Sequence, residues 1–206
     1  QQVADIALER DLIVISDEVY EHLVFDDAQH IPIATLPGMW ERTITISSGG
    51  KTFNTTGWKI GWACAPAPLL HAVRMAKQLF TFAGGTPFQT AISIGLRLPD
   101  EYFSRLASDL QSKRDILMEA LKAADLRPIR PEGTYFITAD IRQRWPHGDA
   151  MDFCRTLPAS CGVVAIPGSV LYDSRHSDEG KHLVRFAFCK QDDTMRSASE
   201  KLRNWK

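Results

Sequence analysis

The sequence predicts an α/β protein, with a larger strand-and-helix domain followed by a small α+β domain. Three observations carry this. Leu12-Ile13-Val14-Ile15-Ser16 and Thr43-Ile44-Thr45-Ile46-Ser47-Ser48 are short, β-branched runs, suited to strands buried on both faces of a parallel sheet. Both end in polar residues, as expected where ligands sit beyond the strand ends of an open α/β sheet. After a long helical periodicity from Glu101 to Ala124, the pattern changes to short strands separated by helices. The boundary is placed inside that helix near Lys113, dividing the chain into residues 1–112 and 113–206.

The elements follow in order. Val3 to Arg10 has helical spacing and reads like the middle of a helix. It carries neither a Met nor a basic leader, so the expectation is a chain that starts partway through a longer protein, without a signal peptide. A third strand is expected over Ile60 to Ala65. Pro68 to Phe82 reads as a helix with Leu69, Val73, Ala76 and Leu79 on one face. Pro87 to Leu98 is a second helix, with Pro in its first turn. The long stretch from Glu101 repeats Leu106, Leu110, Leu117 and Leu121, and Arg127-Pro128 breaks it. Strands are expected at Tyr135 to Ile141, Val163 to Ile166 and Leu183 to Phe188. A helix over Asp149 to Leu157 opens on an Asp cap, and one over Asp192 to Leu202 is capped by Asp192 or Asp193.

Composition narrows the function classes. Lys and Arg number 24 against 25 Asp and Glu, so there is no basic field for nucleic acid or an anionic membrane surface. No apolar run approaches the roughly 20 residues a membrane span needs. Cys64, Cys154, Cys161 and Cys189 lack metal or disulfide spacing and read as reduced, mostly buried thiols of a cytoplasmic protein. His22, His30, His71, His147, His176 and His182 show no metal or catalytic spacing and read as surface or structural.

Chemistry gathers in two segments. In Ser48-Gly49-Gly50-Lys51-Thr52, a lysine follows a buried strand, two glycines open the backbone to close approach, and a hydroxyl stands three residues upstream. Lys59 adds a second cation. A lysine amine beside an anion site suits Schiff-base chemistry, because a cationic neighbour or burial releases free amine near neutrality. The competing reading is a Gly-rich turn with two solvated lysines. In Ser16-Asp17-Glu18-Val19-Tyr20, a carboxylate ends a buried strand, where it needs a cationic partner unless it caps a helix. Tyr20 alone reads as a core aromatic, and Arg185 alone as a surface cation.

Taken together, these residues resemble the fold-type I, class I/II aminotransferases that depend on pyridoxal 5'-phosphate (PLP). The likeness is to the subgroup with kynurenine, methionine and N-succinyldiaminopimelate aminotransferases, and it runs nearly the whole chain. It implies the PLP-dependent transferase fold, with part of the large domain followed by the small C-terminal domain. It also implies that Asp17 reads the pyridine nitrogen and Tyr20 the ring hydroxyl. Ser48 and Lys59 would hold the phosphate, Lys51 would be the catalytic Schiff-base lysine, and Arg185 would clamp the substrate carboxylate with its planar fork. Gly133-Thr134-Tyr135-Phe136 and Ile166-Pro167-Gly168-Ser169 resemble small-domain segments of the family. The implied partners are an amino acid, a 2-oxo acid and a second copy in a homodimer, with no nucleic acid and no membrane. The family's phosphate turn, ring-stacking aromatic and ring-hydroxyl Asn lie in an N-terminal half outside this sequence, so 206 residues alone are expected not to hold PLP properly. Two other readings share much of the constellation: a PLP-dependent cysteine-conjugate β-lyase, and an aminotransferase-like domain of a transcriptional regulator.

Overall fold

The computed structural model describes residues 1–205; residue 206 lies outside the described residues. The chain divides into two compact units, Gln1–Arg105 and Leu106 onward. The division at Arg105–Leu106 lies nearer the start of the long helix than the boundary expected near Lys113.

The first unit opens with α1 (Gln2–Glu9), β1 (Val14–Asp17), β2 (Thr43–Ser48), the one-turn α2 (Gly49–Thr52) and β3 (Gly61–Cys64). The strands form a sheet in the order β1-β2-β3, with β1 parallel and β3 antiparallel to β2. Asp17 stands opposite Ile46, and Ser48 opposite Gly61. Val14 packs with Ala4, Ala7 and Met39 on one side of β1. The other side differs from expectation: Ile13 and Ile15 are 62% and 68% exposed. Alternate residues of a strand face opposite ways, and no helix covers this face among the described residues. The unit continues with α3 (Ala67–Phe80) and α4 (Thr86–Gly95), each with Pro in its first turn. The anticipated apolar face of α3 is only partly covered: Leu69 and Val73 are half-buried, Ala76 and Leu79 are exposed, and none is fully buried. The thiols depart from expectation too: Cys64 is exposed, and Cys154, Cys161 and Cys189 are half-buried.

The second unit takes most of α5 (Asp100–Ala123), then β4 (Arg127–Ile129), β5 (Phe136–Asp140), α6 (Ala150–Ser160), β6 (Ile166–Pro167), β7 (Leu183–Ala187) and α7 (Asp192–Arg203). Its sheet order is β4-β5-β7-β6, antiparallel throughout. Ile137, Ala139, Val184 and Phe186 are buried on one face and join Leu117, Leu121, Phe153, Leu157 and Leu202 in the core. Arg127-Pro128 does not end the helix: α5 stops at Ala123, where Asp125 turns left-handed (φ 58°) and Leu126 N–H donates to Leu121 O at 3.0 Å. Arg127-Pro128 instead begins β4, pairing with Asp140 and Ala139 at the sheet edge, where Pro is tolerated. Residues 163–165 are not strand; only Ile166–Pro167 pairs with β7. Asp149 caps α6, accepting from the backbone N–H of Met151 and Asp152 at 2.9 Å. Asp192 and Asp193 are not caps: Gln191 holds that position without a side-chain bond, and Asp192 instead pairs with Lys113 at 3.0 Å.

Candidate active site

Lys51 stands on α2 directly after β2, half-buried, because the chain turns sharply where the strand ends. A one-turn helix leaves most of its carbonyls without helical partners. Side chains supply donors here: the Thr55 hydroxyl donates to Gly49 O, which also accepts from Phe53 N, and the Thr56 hydroxyl donates to Gly50 O, both hydroxyls at 3.1 Å. Tyr102 Oη of the distant helix over 100–123 donates to Thr52 O at 3.4 Å. Gly49 packs closely, since a Cβ there would lie 2.5 Å from Ile92 Cδ1 and that side chain would have to shift. Phe53 packs near Tyr102 and Phe103, and Trp58 stacks on Phe88 at 4.7 Å, so both ends of this loop are pinned by aromatic contacts.

Tyr20 is brought to Lys51, with Nζ 6.0 Å from its ring centroid. Asp17 ends the strand beside β2, with its carboxylate exposed and one oxygen accepting from Val19 N at 3.4 Å. The turn carrying Tyr20 is held by polar ties. Glu18 is 5% exposed, and its carboxylate accepts from Ser16 Oγ at 2.9 Å and meets His30 Nε2 at 2.9 Å. Ser47 Oγ donates to Glu21 Oε1 at 2.7 Å. Glu18, Glu21 and His30 were not identified from sequence as supports of the site. The Ser16–Glu18 spacing hinted at one tie, but nothing local marks His30, twelve residues away.

Ser48 Oγ donates to Ile60 O at 3.3 Å and accepts from Gly50 N at 3.1 Å. A phosphate oxygen at this hydroxyl would replace Ile60 O as its acceptor. Lys59 lies two residues before Gly61, the register partner of Ser48. Its backbone is left-handed (φ 56°, ψ 40°), a strained state for a residue with a Cβ and one that concentrates at functional sites. A cavity of about 400 Å³ opens beside Lys59, bounded also by Trp62, Lys77 and Gln89; Asp17, Tyr20, Ser48 and Lys51 do not line it.

Five of the six anticipated residues thus lie in the first unit, at the C-terminal ends of β1 and β2 and the start of β3. The sixth, Arg185, lies on β7 in the second unit. It is half-buried, its Cζ is 4.1 Å from the Phe136 ring centroid, and its Nε is buried without a hydrogen-bond partner. The donor set in the first unit suits PLP: an amine for the aldehyde, a carboxylate for the ring nitrogen, a phenol for the ring hydroxyl, and a hydroxyl with a second cation for the phosphate.

Known proteins match this architecture. The structure superposes with a TM-score of 0.92 on the N-succinyldiaminopimelate aminotransferase from Mycobacterium tuberculosis, at 48% identity, covering 99% of this chain and 52% of that one. It matches YbdL from Escherichia coli, described as having a methionine aminotransferase function, with a TM-score of 0.87, at 38% identity over 98% of this chain and 53% of that one. The fold is that of the fold-type I PLP-dependent aminotransferases. The chain belongs to the aminotransferase class I and II family, which it matches over residues 1–202. Among curated relatives, a probable N-succinyldiaminopimelate aminotransferase from Mycobacterium tuberculosis is 48% identical, over 97% of this chain and 52% of that protein. Human kynurenine–oxoglutarate transaminase 1 is 38% identical, over 99% of this chain and 52% of that protein. The chain spans about half the length of these relatives. No described helix is long and apolar enough to cross a membrane.

Proposed function

We propose that this chain carries the lysine-bearing part of a PLP-dependent aminotransferase that moves an amino group between an amino acid and a 2-oxo acid. The observation that carries the reading is the convergence of Lys51 and Tyr20, with Asp17 ending the adjacent strand, at the C-terminal ends of β1 and β2. Bound PLP supplies an electron sink for the carbanion formed at the substrate α-carbon. Lys51 would hold the cofactor through Nζ and, once released, would take the proton from the substrate α-carbon as general base and deliver it as general acid to the cofactor's C4′ carbon. Asp17 would accept a hydrogen bond from the protonated ring nitrogen, and Tyr20 would donate one to the ring hydroxyl oxygen. Ser48 and Lys59 hold the phosphate. Arg185 binds the substrate α-carboxylate through its guanidinium fork.

N-succinyldiaminopimelate is the first donor to test, because the relative at 48% identity bears that name, followed by kynurenine and methionine. The protein acts in the cytoplasm as a homodimer in this reading. The test is an absorption spectrum with added PLP of the full-length protein containing this chain, beside its Lys51→Ala variant. A visible band lost in Lys51→Ala, with activity reduced by about 10²–10⁴-fold, is expected. A band that survives the substitution sinks Lys51 as the cofactor lysine. Release of pyruvate and ammonia from a cysteine conjugate, without consumption of a 2-oxo acid, overturns the transfer reaction.

A further inference from the structure

The half-exposed face of the second sheet carries Phe136, Thr138 and Asp140 from β5 and Arg185 and Ala187 from β7. Phe136 pairs with Ala187 and Thr138 with Arg185, so the Phe136 ring is the diagonal neighbour of the arginine. The guanidinium carbon sits 4.1 Å from that ring centroid, in stacking range. Among the described residues, no acidic side chain pairs with Arg185, and its buried Nε–H has no acceptor. The carboxylate on the same face, Asp140, is already held by Arg142, whose Nε lies 2.9 Å and 3.1 Å from its two oxygens. A half-buried cation left unpaired beside an occupied acid is costly unless an anion arrives.

We propose that Phe136 is a positioning residue for Arg185. Its ring face covers one side of the guanidinium and fixes its plane, while the in-plane N–H donors stay open for a carboxylate. A weakly hydrated, planar guanidinium tolerates this covering, which an ammonium would not. Pre-organising the fork removes the ordering cost of binding, so the ring acts on substrate affinity rather than on proton transfer. The proposal rests on the reading of Arg185 as the carboxylate-binding arginine.

The test uses the full-length, PLP-loaded protein containing this chain. Phe136→Leu and the volume-conserving Phe136→Met remove the ring face, Phe136→Tyr keeps it, and Arg185→Ala removes the cation. Three quantities are read: KM and kcat for the amino acid and the 2-oxo acid, the calorimetric dissociation constant of succinate as an unreactive carboxylate, and the thermal midpoint. Expected for Leu and Met are KM and succinate dissociation constants raised about tenfold, with kcat changed less than about threefold and the midpoint retained. Tyr restores both to within about twofold of the parent. If Arg185→Ala weakens succinate but neither Leu nor Met does, the platform is wrong and the arginine reading stands. If Arg185→Ala leaves succinate binding and KM unchanged, the arginine reading falls and the proposal with it.

Discussion

In the first unit, α3 buries none of its residues, and Leu79, Phe80 and Phe82 are 81–87% exposed. In the second, α5 buries Leu110, Leu117, Met118, Ala120 and Leu121. Both helices show apolar residues at helical spacing, and the sequence alone gives no reason to treat them differently. What separates them is the partner surface. The α5 stripe is buried in the second unit's core along with the inner face of the four-stranded antiparallel sheet, whereas α3 has Leu69 and Val73 only half-buried and Leu79 and Phe80 exposed, and Ile13 and Ile15 at β1 are exposed. Helical periodicity therefore establishes that a helix has an apolar side, and only the surrounding chain establishes whether that side is buried. The candidate chemistry divides along the same line, since the lysine and its supports lie in the first unit and Arg185 in the second.

Matched substitutions break this contrast if it is wrong. Leu121→Ala removes a side chain with no exposed surface and is expected to destabilise the second unit by about 2–5 kcal/mol. Leu79→Ala, at a residue 87% exposed, should stay within about 0.5 kcal/mol. Denaturant melts of the two variants decide it, and equal losses would mean that α3 is packed in solution.

Thiol labelling sharpens the comparison. Burial pushes the Cys154 thiol up to about 11, so little thiolate exists at neutral pH, while Cys64 is exposed. Iodoacetamide at pH 7.5 should modify Cys64 at least about a hundredfold faster than Cys154 in the folded protein, as read by peptide mass spectrometry. Comparable rates would show that α6 opens readily.

Two Asp residues near helix starts test what a cap requires. Asp149→Ala should cost about 1 kcal/mol, because Met151 and Asp152 lose their acceptor. Asp192→Ala should cost at most about 0.5 kcal/mol, since it removes an exposed ion pair with Lys113 and no cap. Reversal of that order in thermal melts would refute the cap assignment.

The smallest effect concerns acid. The Arg142 hydrogen bond holds the Asp140 carboxyl below its usual range, against the opposing effect of burial. A depressed folded value stabilises the native state above the unfolded carboxylate range, about 3.9, and that contribution is lost as pH falls through the folded value. Asp140→Asn should therefore flatten the decline of the thermal midpoint below about pH 4 and leave its pH dependence near neutrality unchanged. A variant whose acid limb keeps the parent's slope would show that the pair does not contribute.

Much of the architecture was legible because local chemistry suffices for it. Strand runs at 12–16 and 43–48, the Pro-initiated α4, the Asp149 cap and the break after Ala124 each follow from a few adjacent residues. The misses share one cause. Residues 163–165, β4 and the α7 cap depend on which backbone groups find partners across the sheet or solvent, and adjacent residues do not encode that. The candidate site divides similarly. Lys51, its flanking glycines and Asp17 were marked by residue type and spacing, since a lysine after a strand and an acid at a strand end are chemically conspicuous. Glu18–His30, Ser47–Glu21 and the Phe136 platform were not, because each joins segments far apart in sequence through ordinary residues.

By itself the sequence determined most of the element types, the position of the candidate lysine and its likeness to a PLP-dependent family, since these rest on short-range periodicity and side-chain chemistry. Only the tertiary structure decided that β3 runs antiparallel to β2, that Lys51 Nζ lies 6.0 Å from the Tyr20 ring, and that Arg185 stacks on Phe136 with its Nε unpaired. Those are facts of register and packing, and they exist only once distant parts of the chain bury surface against one another.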